Sequence, residues 1–200
     1  MEKLKQFYNY LIEENKKQNL TRITDWDDFF EKHYLDSIEA EQFIEKNANV
    51  LDVGVGAGFP SIPLKLVRDD LNILMLDSLK KRCEYLERVI ELLELKRIMA
   101  LHTRIEDFSA KEVFDVVVSR AVAPLPTLLE YLAPFAKIGG LVICYKSENE
   151  RAENAEKILG LEIEKVHQYK DNRFLLIYRK TKETPSFYPR AKNLPRLKPL

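Results

Sequence analysis

Val50-Leu51-Asp52-Val53-Gly54-Val55-Gly56-Ala57-Gly58-Phe59-Pro60 is an apolar strand that ends in an acid and runs into alternating glycines. Glycine at every second position lets the backbone turn tightly and approach a ligand with no Cβ in the way, and the Pro60 ring suits a first helical turn. The free N–H groups and positive end of such a helix favour an anion. The stretch points to a nucleoside cofactor at the carboxyl end of a parallel strand, with Gly54, Gly56 and Gly58 against it. The spacing is Gly-x-Gly-x-Gly, and Phe59 stands where the dinucleotide fingerprint needs its last glycine, which counts against NAD.

Downstream, Ile73-Leu74-Met75-Leu76-Asp77 reads as a second buried strand ending in a carboxylate, with Ser78 as the helix N-cap that follows. Asp77 lies 19 residues past Gly58, a spacing that suits a carboxylate gripping both ribose hydroxyls of an adenosine. Asp77 and Ser78 therefore join the cofactor-binding set. NAD and S-adenosylmethionine share that ribose and differ in the neighbouring group. Asp52, just before the glycines, would repel a pyrophosphate; it suits the ammonium of a methionine arm or serves to brace the loop.

Outward from these two strands, apolar runs alternate with helical stretches: strands at 50–53, 72–77, 98–102, 114–119 and 140–146, helices at 60–68, 78–93, 125–136 and 148–159. That alternation predicts an α/β fold with a mainly parallel sheet covered on both faces. Residues 162–169 and 173–180 alternate around Lys170-Asp171-Asn172, so the last two of seven strands form an antiparallel hairpin. A parallel sheet closed by a hairpin is the Rossmann-like arrangement of class I methyltransferases. Two amphipathic helices, at residues 2–17 and from Trp26 to Ala40, form an N-terminal cap. The expected division is a helical cap at 1–47 belonging to the same unit, a cofactor domain at 48–180, and a basic, proline-rich tail at 181–200.

Two hundred residues with 46% hydrophobic and 32% charged side chains suit one globular domain. No apolar run approaches the roughly 20 residues needed to span a bilayer, and the N-terminus lacks a signal-peptide core, so a cytoplasmic protein with no membrane partner is expected. Cys83 and Cys144 are too few for a zinc site and read as buried hydrophobes; no metal is expected. The formal net charge is zero, which removes the bulk electrostatic argument for nucleic acid. The tail restores a local one, with Lys182, Arg190, Lys192, Arg196 and Lys198 against Glu183 alone.

Strand ends are where ligands bind in such sheets. After the third strand, Thr103-Arg104-Ile105-Glu106-Asp107 can meet an adenine edge. After the fourth, Ser119-Arg120-Ala121-Val122 puts Arg120 at the rim, either as a salt bridge to Asp52 or Glu106 or as a fork for a cofactor carboxylate, an acceptor phosphate or a base edge. That segment is not the Asp/Asn-Pro-Pro-aromatic loop used to alkylate exocyclic amines, and no cysteine sits in a motif for attack on cytosine. An aromatic ring nitrogen with a free lone pair, such as nitrogen 7 of guanine, needs neither device, only in-line alignment and electrostatics, and the residues alone leave the acceptor open.

At these residues the chain resembles the RsmG family, formerly called glucose-inhibited division protein B, nearly end to end. The resemblance rests on Asn19-Leu20-Thr21-Arg22-Ile23-Thr24, His33-Tyr34-Leu35-Asp36-Ser37, the loop from Asp52 to Pro60, Leu76-Asp77-Ser78-Leu79, Arg104-Ile105-Glu106, Ser119-Arg120-Ala121-Val122-Ala123, Tyr188-Pro189-Arg190 and Lys198-Pro199-Leu200. It implies a methyltransferase that uses S-adenosylmethionine on nitrogen 7 of a guanine in 16S ribosomal RNA, naked or in a small-subunit particle. It implies cofactor contacts at Gly54, Phe59, Ile105, Glu106 and Arg120. Lys146, Tyr188, Arg190, Lys192, Arg196 and Lys198 are the expected RNA contacts, and the protein is expected to be a monomer. No residue is assigned as a general base; Arg120 is given a positioning role. After Arg190 the family's second basic residue is replaced by Ala191 and its glycine is missing. Rival readings are an RNA-binding module that keeps the cofactor fold without turnover and an NAD-linked oxidoreductase. His33 and Asp36, one turn apart, read as readily as a surface pair or packing contact as a functional pair. His102, His167 and Trp26 read as packing residues, and Tyr145, Phe187 and Tyr188 as rings able to stack a base.

Overall fold

The computed structural model of the chain describes every residue except Ala121, Val122 and Lys192. Its centre is a seven-stranded sheet, β1 (Asn49–Val53), β2 (Asn72–Asp77), β3 (Ile98–His102), β4 (Phe114–Arg120), β5 (Ala136–Lys146), β6 (Leu161–Lys170) and β7 (Arg173–Lys180), in the order β3-β2-β1-β4-β5-β7-β6. The first five strands are mutually parallel, and β7 enters antiparallel between β5 and β6. This is the class I methyltransferase arrangement expected from the sequence. Strand order reverses between β1 and β4, so the crevice opens at the carboxyl end of β1.

Period-2 alternation decides what each face carries. On β1 and β4, Val50, Val116 and Val118 join one core with α1 (Glu2–Gln18) and α5 (Lys80–Leu92), while Leu51, Val53 and Val117 join the other with α6 (Leu125–Leu132) and α7 (Glu153–Leu159). The parity runs on to the strand ends. Arg120 follows Val116 and Val118 to the α1 face, and Ser119 turns the other way, its hydroxyl donating to the Val53 carbonyl at 2.7 Å.

The cap lies over the first core. After α1 the chain forms α2 (Trp26–Phe29), a π-helical stretch (Phe30–Leu35), α3 (Asp36–Ile38) and a 3-10 turn (Glu39–Phe43), where the sequence predicts one continuous helix from Trp26 to Ala40. Asp25 caps it, accepting from the N–H groups of Asp27 and Asp28. Phe7 and Phe29 are fully buried and pack edge-on at 6.0 Å, and both meet the Phe59 ring of the glycine loop. Each such buried ring stabilises by about 1.5–3 kcal/mol, so the cap is continuous with the sheet's own core.

Helix α4 (Ser61–Val67) starts directly after Pro60, as expected. Helix α5 starts two residues later than expected: its N-cap position is Leu79, not Ser78, and the Asp77 carboxylate takes the capping role by accepting from the Leu79 N–H at 2.9 Å. The tail carries one short helix, α8 (Leu194–Leu197).

Candidate functional site: a polar pit at the ends of the first three strands

A cavity of about 370 Å³ opens at the carboxyl ends of β1, β2 and β3, lined by Gly54, Asp77, Ser78, Arg104, Ile105 and Glu106 among others. Five of the expected cofactor positions thus share one wall. A larger cavity, about 510 Å³, lies at the amino ends of β1, β4 and β5, at the opposite end of the sheet from the Gly54–Gly58 turn. Position at the strand switch, not size, selects the first.

The glycine turn is tied to β2: the N–H groups of Gly54 and Val55 donate to the Leu76 carbonyl, and the Gly56 N–H donates to the Asp77 carboxylate at 3.0 Å. Gly56 has φ +59°, and a Cβ there would meet only the Gly54 oxygen at 4.0 Å, so its outer side is open. Gly58 has another task. A Cβ at that position would stand 2.8 Å from Ile62 and 3.4 Å from Phe7, so this glycine lets the loop close against α4 and the cap rather than against a ligand.

Asp77 is nearly buried and holds the loop, the start of α5 and Arg82, whose guanidinium lies at 3.3 Å. A carboxylate has about four acceptor positions, so capacity remains for a hydroxyl. Asp52 is fully buried; one oxygen accepts from the Ser61 hydroxyl at 2.6 Å, and the other, Oδ1, has no partner. Burial pushes its pKa up to about 7, against the opposing pull of the Ser61 bonds. Both readings of Asp52 are therefore present, with one oxygen bracing α4 and one left to receive a donor.

Arg120 is placed differently from either salt bridge expected for it. It does not pair with Asp52 or Glu106. Strand parity sends it to the cap face, where Nε meets the Asp36 carboxylate at 3.1 Å and the terminal nitrogens reach the Ser37 hydroxyl, the Lys32 carbonyl and His33 Nδ1. Glu106 lines the pit on the far side. Asp36 is only 4% exposed and also accepts from the Tyr169 hydroxyl at 2.7 Å, with Arg173 at 3.4 Å. His33 stacks on Phe59 at 4.2 Å, and burial together with Arg120 lowers its pKa to about 4. His33 and Asp36 are thus docking groups, not a surface pair. Phe59 itself is sandwiched among Phe7, Phe29 and His33, and does not line the pit.

Three of the residues expected at RNA are engaged within the protein. Lys146 pairs with Glu150 at 2.5 Å. Tyr188 is buried in the second core, and Arg190 is bound by the buried Glu130. Arg196 lines the pit, Lys198 is exposed, and Lys192 lies outside the described residues. Tyr145 is buried with its hydroxyl donating to the Ser37 carbonyl, whereas Phe187 is 65% exposed. His102 approaches the Ser78 carbonyl, and His167 pairs with Glu39 at 2.7 Å. Sequence reasoning missed Arg82, Tyr131 and Asn193 in the pit wall; only Arg82, five residues past Asp77 on the helix that follows, had a local signal.

Fold and pit together define a Rossmann-like protein of the class I methyltransferase type. The solved structures agree: a SAM-dependent methyltransferase from Aquifex aeolicus superposes with a TM-score of 0.60 at 17% identity, over 84% of this chain and 96% of that one. A mutant of MtNAS in complex with S-adenosylmethionine gives 0.64 at 16%, over 91% and 73%. The family model described as rRNA small subunit methyltransferase G matches residues 1–176. Proteins named ribosomal RNA small subunit methyltransferase G from Carboxydothermus hydrogenoformans and Lachnoclostridium phytofermentans are 41% and 43% identical, over 97% and 100% of this chain and 89% of each relative. The chain belongs to the rRNA small subunit methyltransferase G family. Among the described residues no helix is long and apolar enough to cross a membrane, and no group of His, Cys, Asp or Glu is arranged to hold a metal ion.

Proposed function

We propose that the chain transfers a methyl group from S-adenosylmethionine to nitrogen 7 of a guanine in 16S ribosomal RNA, acting as a cytoplasmic monomer on RNA or a small-subunit particle. The observation that carries this reading is the pit at the strand switch, with Asp77 in its wall and tied to the glycine turn through the Gly56 N–H, and with Asp52, outside the pit lining, buried at the end of the neighbouring strand. The donor set fits the cofactor. Asp77 lies in the pit wall with acceptor capacity for a ribose hydroxyl, the Ile105–Glu106 turn offers backbone groups and an acid to an adenine edge, and Asp52 Oδ1, outside the pit lining, is a buried acceptor suited to an ammonium. A pyrophosphate at the glycine turn would lie beside the Asp77 carboxylate with Asp52 buried nearby, which speaks against NAD.

When bound, the cofactor supplies an electrophilic methyl on a sulfonium. The protein's share is to fix its position. Asp77 ties the loop to β2 and α5 through Gly56 and Leu79, so the ribose site and the glycine turn move as one. Arg120 positions rather than reacts: by clamping Asp36 it holds the cap against Phe59 of the glycine loop. Guanine nitrogen 7 carries its own lone pair, so no residue need take a proton before transfer, and alignment alone can contribute up to about 7–11 kcal/mol. Family membership supports ribosomal RNA as the acceptor.

The test is incubation with labelled S-adenosylmethionine and unmodified small-subunit RNA or particles, followed by borohydride and aniline, which break RNA at 7-methylguanosine. One new enzyme-dependent break is expected. Label without a break would move the reaction to another atom, and no label on either substrate would favour the binding-module reading.

A further inference from the structure

The tail is read from sequence as a basic arm for RNA, and it lies beyond the residues matched by the family model. Its path in the structure suggests another use. From β7 it runs back across α6 and ends in the turn Asn193–Leu197, and two of its side chains, Asn193 and Arg196, line the pit beside Glu106 and Tyr131. The Asn193 side-chain oxygen accepts from Arg104 at 3.2 Å. Arg196 stands close enough to the Tyr131 hydroxyl to oppose the upward push that burial and Glu106 give that phenol.

The turn is held in place at several points. The Thr127 hydroxyl of α6 donates to the Pro195 carbonyl at 2.8 Å, and Pro195 is buried. Lys111 donates to the Ser186 and Tyr188 carbonyls, both at 2.6 Å. Arg190 gives its backbone N–H and two guanidinium nitrogens to the fully buried Glu130, and also donates to the Lys198 carbonyl at 2.8 Å, so one side chain ties the tail to α6 and closes the turn on itself. Bonds of this number around a short segment fix where its side chains face.

We propose that the Asn193–Arg196 turn is a wall of the cofactor site, with Arg196 and Asn193 contacting the adenine end of the bound nucleoside, so that the tail sets cofactor affinity. The proposal rests on reading the pit as the S-adenosylmethionine site. Arg196 shares the pit wall with Glu106 and Tyr131, where the Ile105–Glu106 turn offers its groups to an adenine edge. A guanidinium stacks on an aromatic face and donates to ring nitrogens, and an Asn amide can pair with the amino–ring nitrogen edge of adenine.

The experiment is calorimetric titration of S-adenosylhomocysteine, and separately of adenosine, into the full chain and into Arg196→Ala and Asn193→Gly. Glycine is chosen because Asn193 has φ +60°. Both positions are exposed, and circular dichroism checks that the variants fold. Arg196→Ala is expected to weaken both ligands by the same factor, about tenfold, the worth of one hydrogen bond from a charged donor; Asn193→Gly does so by less. Affinities within twofold of wild type in both variants would overturn the proposal, as would a loss confined to S-adenosylhomocysteine, which would put Arg196 at the methionine end. Weakened retention of small-subunit RNA with unchanged cofactor affinity would return the tail to the RNA. A wild-type chain that binds neither ligand would bring down the reading of the pit itself, an outcome distinct from equal binding by wild type and variants.

Discussion

The N-terminal cap and the C-terminal tail both lie outside the sheet, and each is held to the rest of the fold by a buried carboxylate paired with arginine, with the polarity reversed. The cap brings the acid, Asp36, to Arg120 at the end of β4; the tail brings the cation, Arg190, to Glu130 on α6. The difference lies beneath these pairs. Phe7, Leu11 and Phe29 of the cap are fully buried in the same core as Val50 and Met75 of the sheet, whereas among the described tail residues Tyr188 joins the second core with Leu200 half-buried against it, and the other buried ones are Pro189 and Pro195. The cap shares the sheet's own core; the tail is held mainly by polar bonds. Disturbing the cap should therefore act on stability, and disturbing the tail on the pit.

That contrast can be broken by two substitutions read in urea unfolding. Arg120→Ala leaves Asp36 buried with only the Tyr169 hydroxyl and the more distant Arg173, and is expected to destabilise by about 3 kcal/mol, the low end for an uncompensated buried charge. The sequence alone predicts that this variant keeps its fold intact while losing transfer; the structure adds the loss of stability. Replacing Glu130 and Arg190 together by Leu removes the tail's pair without stranding a charge, and should change global stability by less than about 1 kcal/mol. Comparable losses from both would mean that the tail belongs to the folding unit as the cap does.

A smaller effect comes from titration. Folding raises Asp52 from 3.8 to about 7, so it contributes stability that is full below pH 3.8 and lost as pH rises through about 7. His33, lowered from 6.5 to about 4, does the reverse: its contribution is full above pH 6.5 and lost as pH falls through about 4. If an ammonium meets Asp52 Oδ1, ligand binding favours the ionised carboxyl. S-adenosylhomocysteine binding at pH 6 should then release a proton, read as a heat that differs between buffers of unlike ionisation enthalpy, and Asp52→Asn should abolish the difference. Identical heats in both buffers at pH 6 would leave Asp52 as a brace for Ser61 only.

What the sequence revealed follows from how local each signal is. The strands, the hairpin after Lys170 and the loop from Gly54 to Pro60 were legible because alternation and turn chemistry act over a few residues. Gly58 was legible as a glycine but not in its task, since its contacts, Phe7 and Leu86, come from distant helices. Arg120 stands at the end of β4, yet its partner Asp36 lies in the cap, and only the parity of β4 with the cap overhead decides that choice. The tail was least legible. Several of its anchors are backbone carbonyls, at Ser186, Tyr188 and Pro195, and a carbonyl leaves no mark in a sequence. A charged, proline-rich segment looks the same whether it waits for RNA or is already bound to the protein.

The central claim, that the pit takes an S-adenosyl nucleoside and not a dinucleotide, is tested most directly by the thermal unfolding midpoint of the full chain with saturating S-adenosylhomocysteine beside one with NAD. Ligand at 100 times its Kd adds about 2.7 kcal/mol, which for a domain of this size predicts a rise of about 5–10 °C with S-adenosylhomocysteine and none with NAD. A rise with NAD alone, or with neither, would contradict it.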